Sequence, residues 1–345
     1  MKGGTNTYPR WDQSVTDWDE KPEPALVWQV IGGHAFYWAL VAAVRLKVFE
    51  RLVEGPRRLD DLSADLGIPE DRMGLLCDSL VAMSLLEGDR FGYWLNKTSR
   101  VLLVADSDRY LGDLVLTSPG RVENWPQLDT TLRGAMPPHD VDGDEGGFYR
   151  VLAHASFLTQ LRAARLAAAK LGPVGRVLDL GAGGAPWTIA FLENNPQATA
   201  VIVELPAVLE VAQERCEAFG ISGRCQLIAG DYHEVELPEH DFDLAILGNV
   251  VRNETPDRAI FLLTRTHHWL DAGGRLLVAE YFLNDDHRGP PSALALGLAM
   301  VANTRKGSVY TAEATASLLK KVGFVNARLV ETVKRSAVIV AERSV

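Results

Sequence analysis

The sequence predicts an α/β protein: an all-helical N-terminal part ending in a winged helix, then a parallel sheet covered by helices on both faces. Three observations predict it. From Arg176 onward, apolar runs of strand length at 177–180, 200–203, 226–228, 244–247 and 276–279 alternate with helical segments, the texture of a parallel sheet. Before that point the apolar spacing is helical. Between residues 59 and 95, two short helical patterns are followed by an extended piece with a turn-like Gly92, which reads as helix, turn, helix and a small β-wing.

Composition bounds the rest. At 345 residues the chain is long enough for about two domains, and its 47% hydrophobic and 23% charged residues are those of a soluble globular protein. A disordered chain would be poorer in apolar residues. The 35 Lys+Arg against 45 Asp+Glu give a net charge of −10, which repels nucleic acid and anionic membrane, so neither is expected as a partner. Cys77, Cys216 and Cys225 are too few and too scattered for a disulfide framework or a zinc knuckle, and read as reduced thiols. No membrane span is expected: the best stretch, 36–49, is broken by Arg45 and Lys47, and 293–302 is core-sized. The first residues lack the basic start and apolar centre of a signal peptide. The expected location is the cytoplasm.

The elements follow in order. Residues 1–24 form an N-terminal arm with Trp11 and Trp18, punctuated by Pro22 and Pro24, either a free tail or a docking segment. Residues 25–104 are read as the winged-helix dimerisation domain. Its opening stretch, 25–52, is helical and carries Trp28, Phe36, Tyr37, Trp38 and Phe49, more aromatic surface than a small domain hides alone, so a homodimer is expected. A helix over 59–66 stops at Gly67, and Pro69 opens another running to Leu86. That second helix carries Glu70, Asp71 and Asp78 against Arg72, an acidic balance that phosphate would repel, so assembly is expected of it rather than DNA binding. Residues 105–170 hold linking helices around a loop at 134–147 dense in Pro, Asp and Gly, read as a mobile surface loop or lid. Residues 171–345 form the sheet domain and end in a hairpin, 327–331 with 337–342.

The first strand of that domain runs into Asp179-Leu180-Gly181-Ala182-Gly183-Gly184-Ala185-Pro186. A strand, a glycine turn and a helix let the backbone approach a nucleotide closely. A dinucleotide fingerprint wants glycine where Pro186 stands. Asp179, two residues before the first glycine, suits a cationic ligand group better than a pyrophosphate. Glu204 ends the second strand, where an acid can accept both ribose hydroxyls. Asp231 and Tyr232 follow the third strand, placed for an adenine amino group and ring. Each acid alone reads equally well as a helix cap; together they converge on the C-terminal edge of the sheet, where such sheets bind ligands.

These residues, with Asp271-Ala272-Gly273-Gly274-Arg275 and Val322-Gly323-Phe324, resemble the class I S-adenosylmethionine-dependent methyltransferase pattern. With its winged-helix front, the chain from about residue 25 resembles the small-molecule O-methyltransferases of plants and bacteria. The resemblance implies a dimerising N-terminal domain and a Rossmann-like seven-stranded catalytic domain, with S-adenosylmethionine as cofactor. It places Gly181 and Gly183 at the methionine moiety, Glu204 at the ribose, Asp231 and Tyr232 at the adenine, and Asn249 beside the cofactor.

The chain departs from the family where the base is expected. The family reads Lys-x-x-x-His-Asp-Trp after the fourth strand; this chain reads Gly248-Asn249-Val250-Val251-Arg252-Asn253-Glu254. Arg252 takes the place of the histidine that deprotonates a hydroxyl, and Gly248 that of the lysine. Glu280 matches the acid that holds the histidine, while Val309 replaces a second acid. An arginine is no general base near neutral pH. It can hold a phenolate or a carboxylate, or form a salt bridge with Glu280 or Glu254. His154 and His34 are the candidate substitute bases; His233, His267 and His268 read as capping or structural. Expected at the chemistry are Arg252, Glu280 and His154, with no metal, since no His/Asp/Glu set has ligand spacing. Residues 294–301 with Trp125, Phe148 and Phe157 either line the acceptor pocket or form ordinary core.

The leading reading is a methyltransferase for a small aromatic or polyketide-like acceptor, to oxygen by resemblance, with nitrogen or carbon open because the histidine is absent. A second keeps the scaffold and uses the cofactor's charge for cyclisation, decarboxylation or hydroxylation. A third is a winged-helix sensor of S-adenosylmethionine.

Overall fold

A computed structural model describes residues 24–107, 109–117, 122–143, 146–333 and 336–344. The chain falls into two compact units, one ending at Ser99 and one starting at Arg100; Trp11 and Trp18 lie outside the described residues.

The first unit opens with α1 (Ala25–Arg45), followed by a 3-10 turn at Glu50–Leu52. This corrects the expected helical stretch 25–52: Lys47 at φ +56 ends the long helix. It also corrects the membrane reading. Residues 25–44 contain no charged side chain, and among the described residues Val27–Arg45 is the one helix long and apolar enough to cross a membrane; a window starting at Phe36 begins halfway along it. Helix α2 (Leu59–Leu66) stops at Gly67 in the left-handed conformation. Helix α3 (Glu70–Ala82) ends four residues short of the expected Leu86, because Ser84 at φ +57 turns the chain and the N–H groups of Leu85 and Leu86 both close on the carbonyl of Leu80. The wing is β1 (Glu87–Asp89) antiparallel to β2 (Gly92–Trp94). Gly92 is needed there: its φ is +153 and a Cβ would strike the carbonyl of Arg57. Asp78, one of the acids of α3, accepts a 2.8 Å hydrogen bond from the Tyr93 hydroxyl of the wing. Helix α4 (Lys97–Leu102) spans the division between the units.

The second unit begins with α5 (Gly112–Thr117), α6 (Leu128–Thr131) and the long α7 (Gly147–Leu171). The loop read as a lid contains a 3-10 turn, Val141–Gly143, and lies partly outside the described residues. Then come β3 (Arg176–Leu180), α8 (Pro186–Asn194), β4 (Thr199–Glu204), α9 (Pro206–Ala218), β5 (Cys225–Ala229), β6 (Phe242–Gly248), α10 (Pro256–Trp269), β7 (Leu270–Glu280), α11 (Pro291–Asn303), α12 (Ala312–Lys321), β8 (Phe324–Val333) and β9 (Ser336–Arg343). The seven strands are ordered β5-β4-β3-β6-β7-β9-β8. The first five are parallel, and β9 runs antiparallel between β7 and β8.

Side chains alternate across this sheet. Val177, Ile202, Leu244, Ile246 and Leu277 pack into one apolar layer with Ala164 and Ala167 of α7 and Phe191 of α8. Leu178, Leu180, Val203, Ala245 and Leu247 enter the opposite layer with Leu262 of α10 and Leu319 of α12. Burial on both faces explains the near-continuous apolar runs. The chain turns from β3 to β4 on one side and places β6 on the other, so a crevice opens at the carboxyl ends of β3 and β6.

Candidate active site

A cavity of about 310 Å³ occupies that crevice, lined by the loops after β3, β4, β5 and β6, by α7, and by Lys306. After β3, Gly181 and Gly183 take φ +65 and +58, and a Cβ on Gly181 would lie 2.8 Å from Val250 Cγ2. The backbone therefore forms the cavity floor where a side chain cannot. At the end of β4, Glu204 is 7% exposed. Its Oε2 accepts from Gly183 N–H and its Oε1 from Leu205 N–H, both at 2.7 Å. Burial raises its carboxyl above the usual range against the pull of these two donors. After β5, Asp231 Oδ1 accepts from His233 N–H at 2.8 Å, and the Tyr232 hydroxyl donates to Glu254 Oε1 at 2.9 Å.

The wall after β6 is a chain of polar contacts. Asn249, at φ +65, donates from Nδ2 to Gln160 Oε1 at 3.1 Å; Trp187 Nε1 donates to the same oxygen at 3.2 Å. Arg252 Nη1 donates to Asn249 Oδ1 and to Glu280 Oε2 at 3.3 Å, while its backbone N–H reaches Glu280 Oε1 at 3.1 Å. Nη1 thus carries both side-chain bonds. Burial raises the Glu280 carboxyl, and the Arg252 charge opposes that rise. Gly248 has a steric cause: a Cβ there would lie 2.8 Å from both Cδ1 and Nε1 of Trp187.

Residues 142–325 match the O-methyltransferase domain family, and residues 28–105 the O-methyltransferase dimerisation domain. The chain belongs to the O-methyltransferase family. It is similar to the 3-hydroxy-5-methyl-1-naphthoate 3-O-methyltransferase of Streptomyces sahachiroi, with 27% identity over 84% of this chain and 86% of that protein. It is also similar to the S-adenosyl-L-methionine-dependent methyl transferase PigF of Serratia sp., with 26% identity over 88% and 92%. A crystal structure from Nostoc punctiforme PCC 73102 superposes with a TM-score of 0.88 at 28% identity, covering 93% of this chain and 99% of that one.

This methyltransferase uses S-adenosylmethionine, and its residues fit that molecule. The left-handed glycine cradle leaves backbone open to a ligand. Each Glu204 oxygen keeps a lone pair beyond the one its backbone donor occupies, and the acids of the cavity suit a sulfonium and an ammonium.

The cavity brings together Gly181, Gly183, Glu204, Asp231, Tyr232, Asn249 and Arg252. Three expected residues stand outside its lining. Asp179 is fully buried and serves the start of α8, accepting from Thr188 N–H and Oγ1–H at 3.3 and 2.7 Å; burial pushes its carboxyl up to about 7. Glu280 stands behind Arg252. His154 is turned away because Ala153, Ser156 and Gln160 point α7 at the cavity, and at about 100° per residue His154 projects roughly 140° from that face.

The remaining departures are physical as well. His233, read as a cap, lines the cavity and is 7% exposed at its side chain, with Nε2 2.9 Å from Glu254 Oε1. Glu254 pairs with His233 and Arg258, so Glu280 is the partner of Arg252. Phe157 belongs to the core, 1% exposed. Residues 294–301, Trp125 and Phe148 are absent from the lining. Val309 packs where a Cβ on Gly297 would meet it at 2.9 Å, an apolar contact in place of an acid. Gln160 carries no motif, and only the sheet topology brings it to the crevice, with Trp187 buried behind it.

Proposed function

We propose that this methyltransferase methylates an oxygen of a small aromatic or polyketide-like acceptor that is bound as an anion beside Arg252. The observation that carries the reading is that no described histidine of the lining is free to take the acceptor's proton. Among the described residues, His233 is the one histidine of the cavity lining; its Nε2 is engaged by Glu254, and its Nδ1 is buried without a partner. Deprotonation by a side chain therefore gives way to capture of an acceptor already ionised. Arg252 Nη1 is held by Glu280 and Asn249, which leaves Nη2 to donate to an oxyanion. Bound S-adenosylmethionine supplies a methyl group activated by its sulfonium; the protein supplies alignment and exclusion of water.

In this reading Gly181 and Gly183 approach the methionine moiety, Glu204 accepts from the ribose, Asp231 and Tyr232 take the adenine, and Asn249 and Glu280 fix Arg252. The hydroxynaphthoate named for the Streptomyces sahachiroi relative is an acceptor of this acidic aromatic kind. Residues 1–24 would form an arm, 25–104 the dimerising domain of a homodimer, 105–170 the linker and 171–345 the catalytic domain of a cytoplasmic enzyme. The test is incubation with S-adenosylmethionine and a panel of hydroxylated aromatic carboxylic acids, phenols and anilines, read by mass spectrometry. Methyl gain on acidic hydroxyls supports the proposal. Gain confined to anilines, or consumption of an acceptor without methyl gain, contradicts it.

A further inference from the structure

Glu254 stands where the pattern that the sequence resembles has a tryptophan. It is 4% exposed and accepts from three side chains: the Tyr232 hydroxyl at 2.9 Å, His233 Nε2 at 2.9 Å and Arg258 Nε at 2.8 Å. Two of these donors follow Asp231 directly, and the third lies a helical turn away on α10. Asp231 is tied to the same unit, since its Oδ1 accepts the backbone N–H of His233. The Glu254 carbonyl also accepts from the Tyr310 hydroxyl at 3.1 Å, and the His233 ring stacks on Phe261 at 5.8 Å between centroids.

We propose that Glu254 is the positioning residue of the adenine site, acting through Tyr232 and His233 to hold the segment 231–233 so that the free Oδ2 of Asp231 meets the exocyclic amino group of the base. This rests on the reading of Asp231 and Tyr232 as the adenine contacts. Residues 231–233 follow a strand end and form a turn; the Asp231 carbonyl accepts from the N–H groups of Glu234 and Val235 and the His233 carbonyl from Arg265, while the side chains of Tyr232 and His233 are placed by Glu254. A buried carboxylate receiving two charged or chargeable donors and a hydroxyl adds a charge-assisted anchor at these side chains. Its effect on the ligand is selective: it aligns an acceptor with an amino group, so a base lacking that group gains little from it.

The test uses the full-length protein and two probes, S-adenosylhomocysteine and S-inosylhomocysteine, whose base carries a carbonyl in place of the amino group. Calorimetry on wild type should show a preference for the adenine compound. Glu254→Gln keeps the shape but offers one acceptor oxygen in place of two and no charge; it should bind S-adenosylhomocysteine about tenfold more weakly, and the preference over the inosine compound should shrink by a similar factor. Glu254→Asp should recover part of the preference. A merely structural carboxylate would lower the melting temperature and leave the ratio of the two affinities at its wild-type value, which overturns the proposal. Should Glu254→Gln fail to fold, Tyr232→Phe removes one hydroxyl and should lower the same ratio; an unchanged ratio there overturns it too. Wild type that binds neither probe would refute the adenine site itself, and wild type that binds both equally would refute its discrimination.

Discussion

Gly248 offers a sharp test of how this site is built, because the family's lysine is the residue it replaces. In Gly248→Ala the new Cβ would lie 2.8 Å from Cδ1 and from Nε1 of Trp187. Carbon atoms in contact settle at 3.5–4.0 Å, so the ring would have to retreat by roughly 0.7 Å or more. It has little room: Trp187 is 2% exposed in the apolar layer above the sheet, and its Nε1 is bonded to Gln160. Overpacking of this kind costs about 1–3 kcal/mol. A glycine-to-alanine change at an unstrained backbone contributes about 0.4–1 kcal/mol in the opposite direction by restricting the unfolded chain. The net expectation is a loss of roughly 1–2 kcal/mol, read as a lower urea midpoint with an unchanged slope. Affinity for S-adenosylhomocysteine should fall as well, since moving the ring disturbs the chain from Gln160 through Asn249 to Arg252. In a Trp187→Leu background, itself destabilised by the cavity left in the core, Gly248→Ala should cost little. A Gly248→Ala protein as stable as wild type, or one that loses as much in the Trp187→Leu background as in wild type, would refute the steric account.

Three further outcomes are expected. The buried Asp179 carboxyl stands at about 7 against an ordinary 3.8, so the native state holds its proton more tightly than the unfolded chain. Its contribution is present below about pH 4 and lost as pH rises through 7. Asp179→Asn should therefore flatten the decline in stability over that window by up to about 4 kcal/mol, measured by denaturant titration at several pH values; a decline as steep as wild type argues against it. Arg252→Ala strands a Glu280 that is 6% exposed and should cost about 3–5 kcal/mol, much of it relieved by adding Glu280→Gln, whereas Arg252→Lys should keep only part of the acceptor binding. Trp28 and Ile31, 67% and 58% exposed on α1, should support self-association, so glutamate at either position should turn a sedimenting dimer into a monomer; a wild-type monomer at all concentrations contradicts this.

The sheet was legible because burial on both faces leaves continuous apolar runs that helices interrupt. Gly181, Gly183, Glu204, Asp231 and Tyr232 could be placed at the sheet edge because each ends a strand or follows one within three residues, so position along the sequence gives position at that edge. The same logic failed for Asp179, still inside its strand and facing α8. His154 needed the rotation of α7, which an Ala-rich helix does not reveal. Glu254, His233 and Gln160 come from three separate segments, and their meeting depends on the strand order. The full length of α1 was hidden by weighing the charges at its end above the twenty residues before them.

Binding of S-adenosylhomocysteine to wild type and to Glu204→Ala tests the central claim, that the crevice at the carboxyl ends of β3 and β6, which Glu204 lines from the end of β4, is the cofactor site. Calorimetry should show one molecule bound per chain and a loss on the order of 1–3 kcal/mol in the variant, with its fold checked by circular dichroism because two backbone donors lose their acceptor. No binding to wild type, or equal binding to a folded Glu204→Ala, would contradict the account.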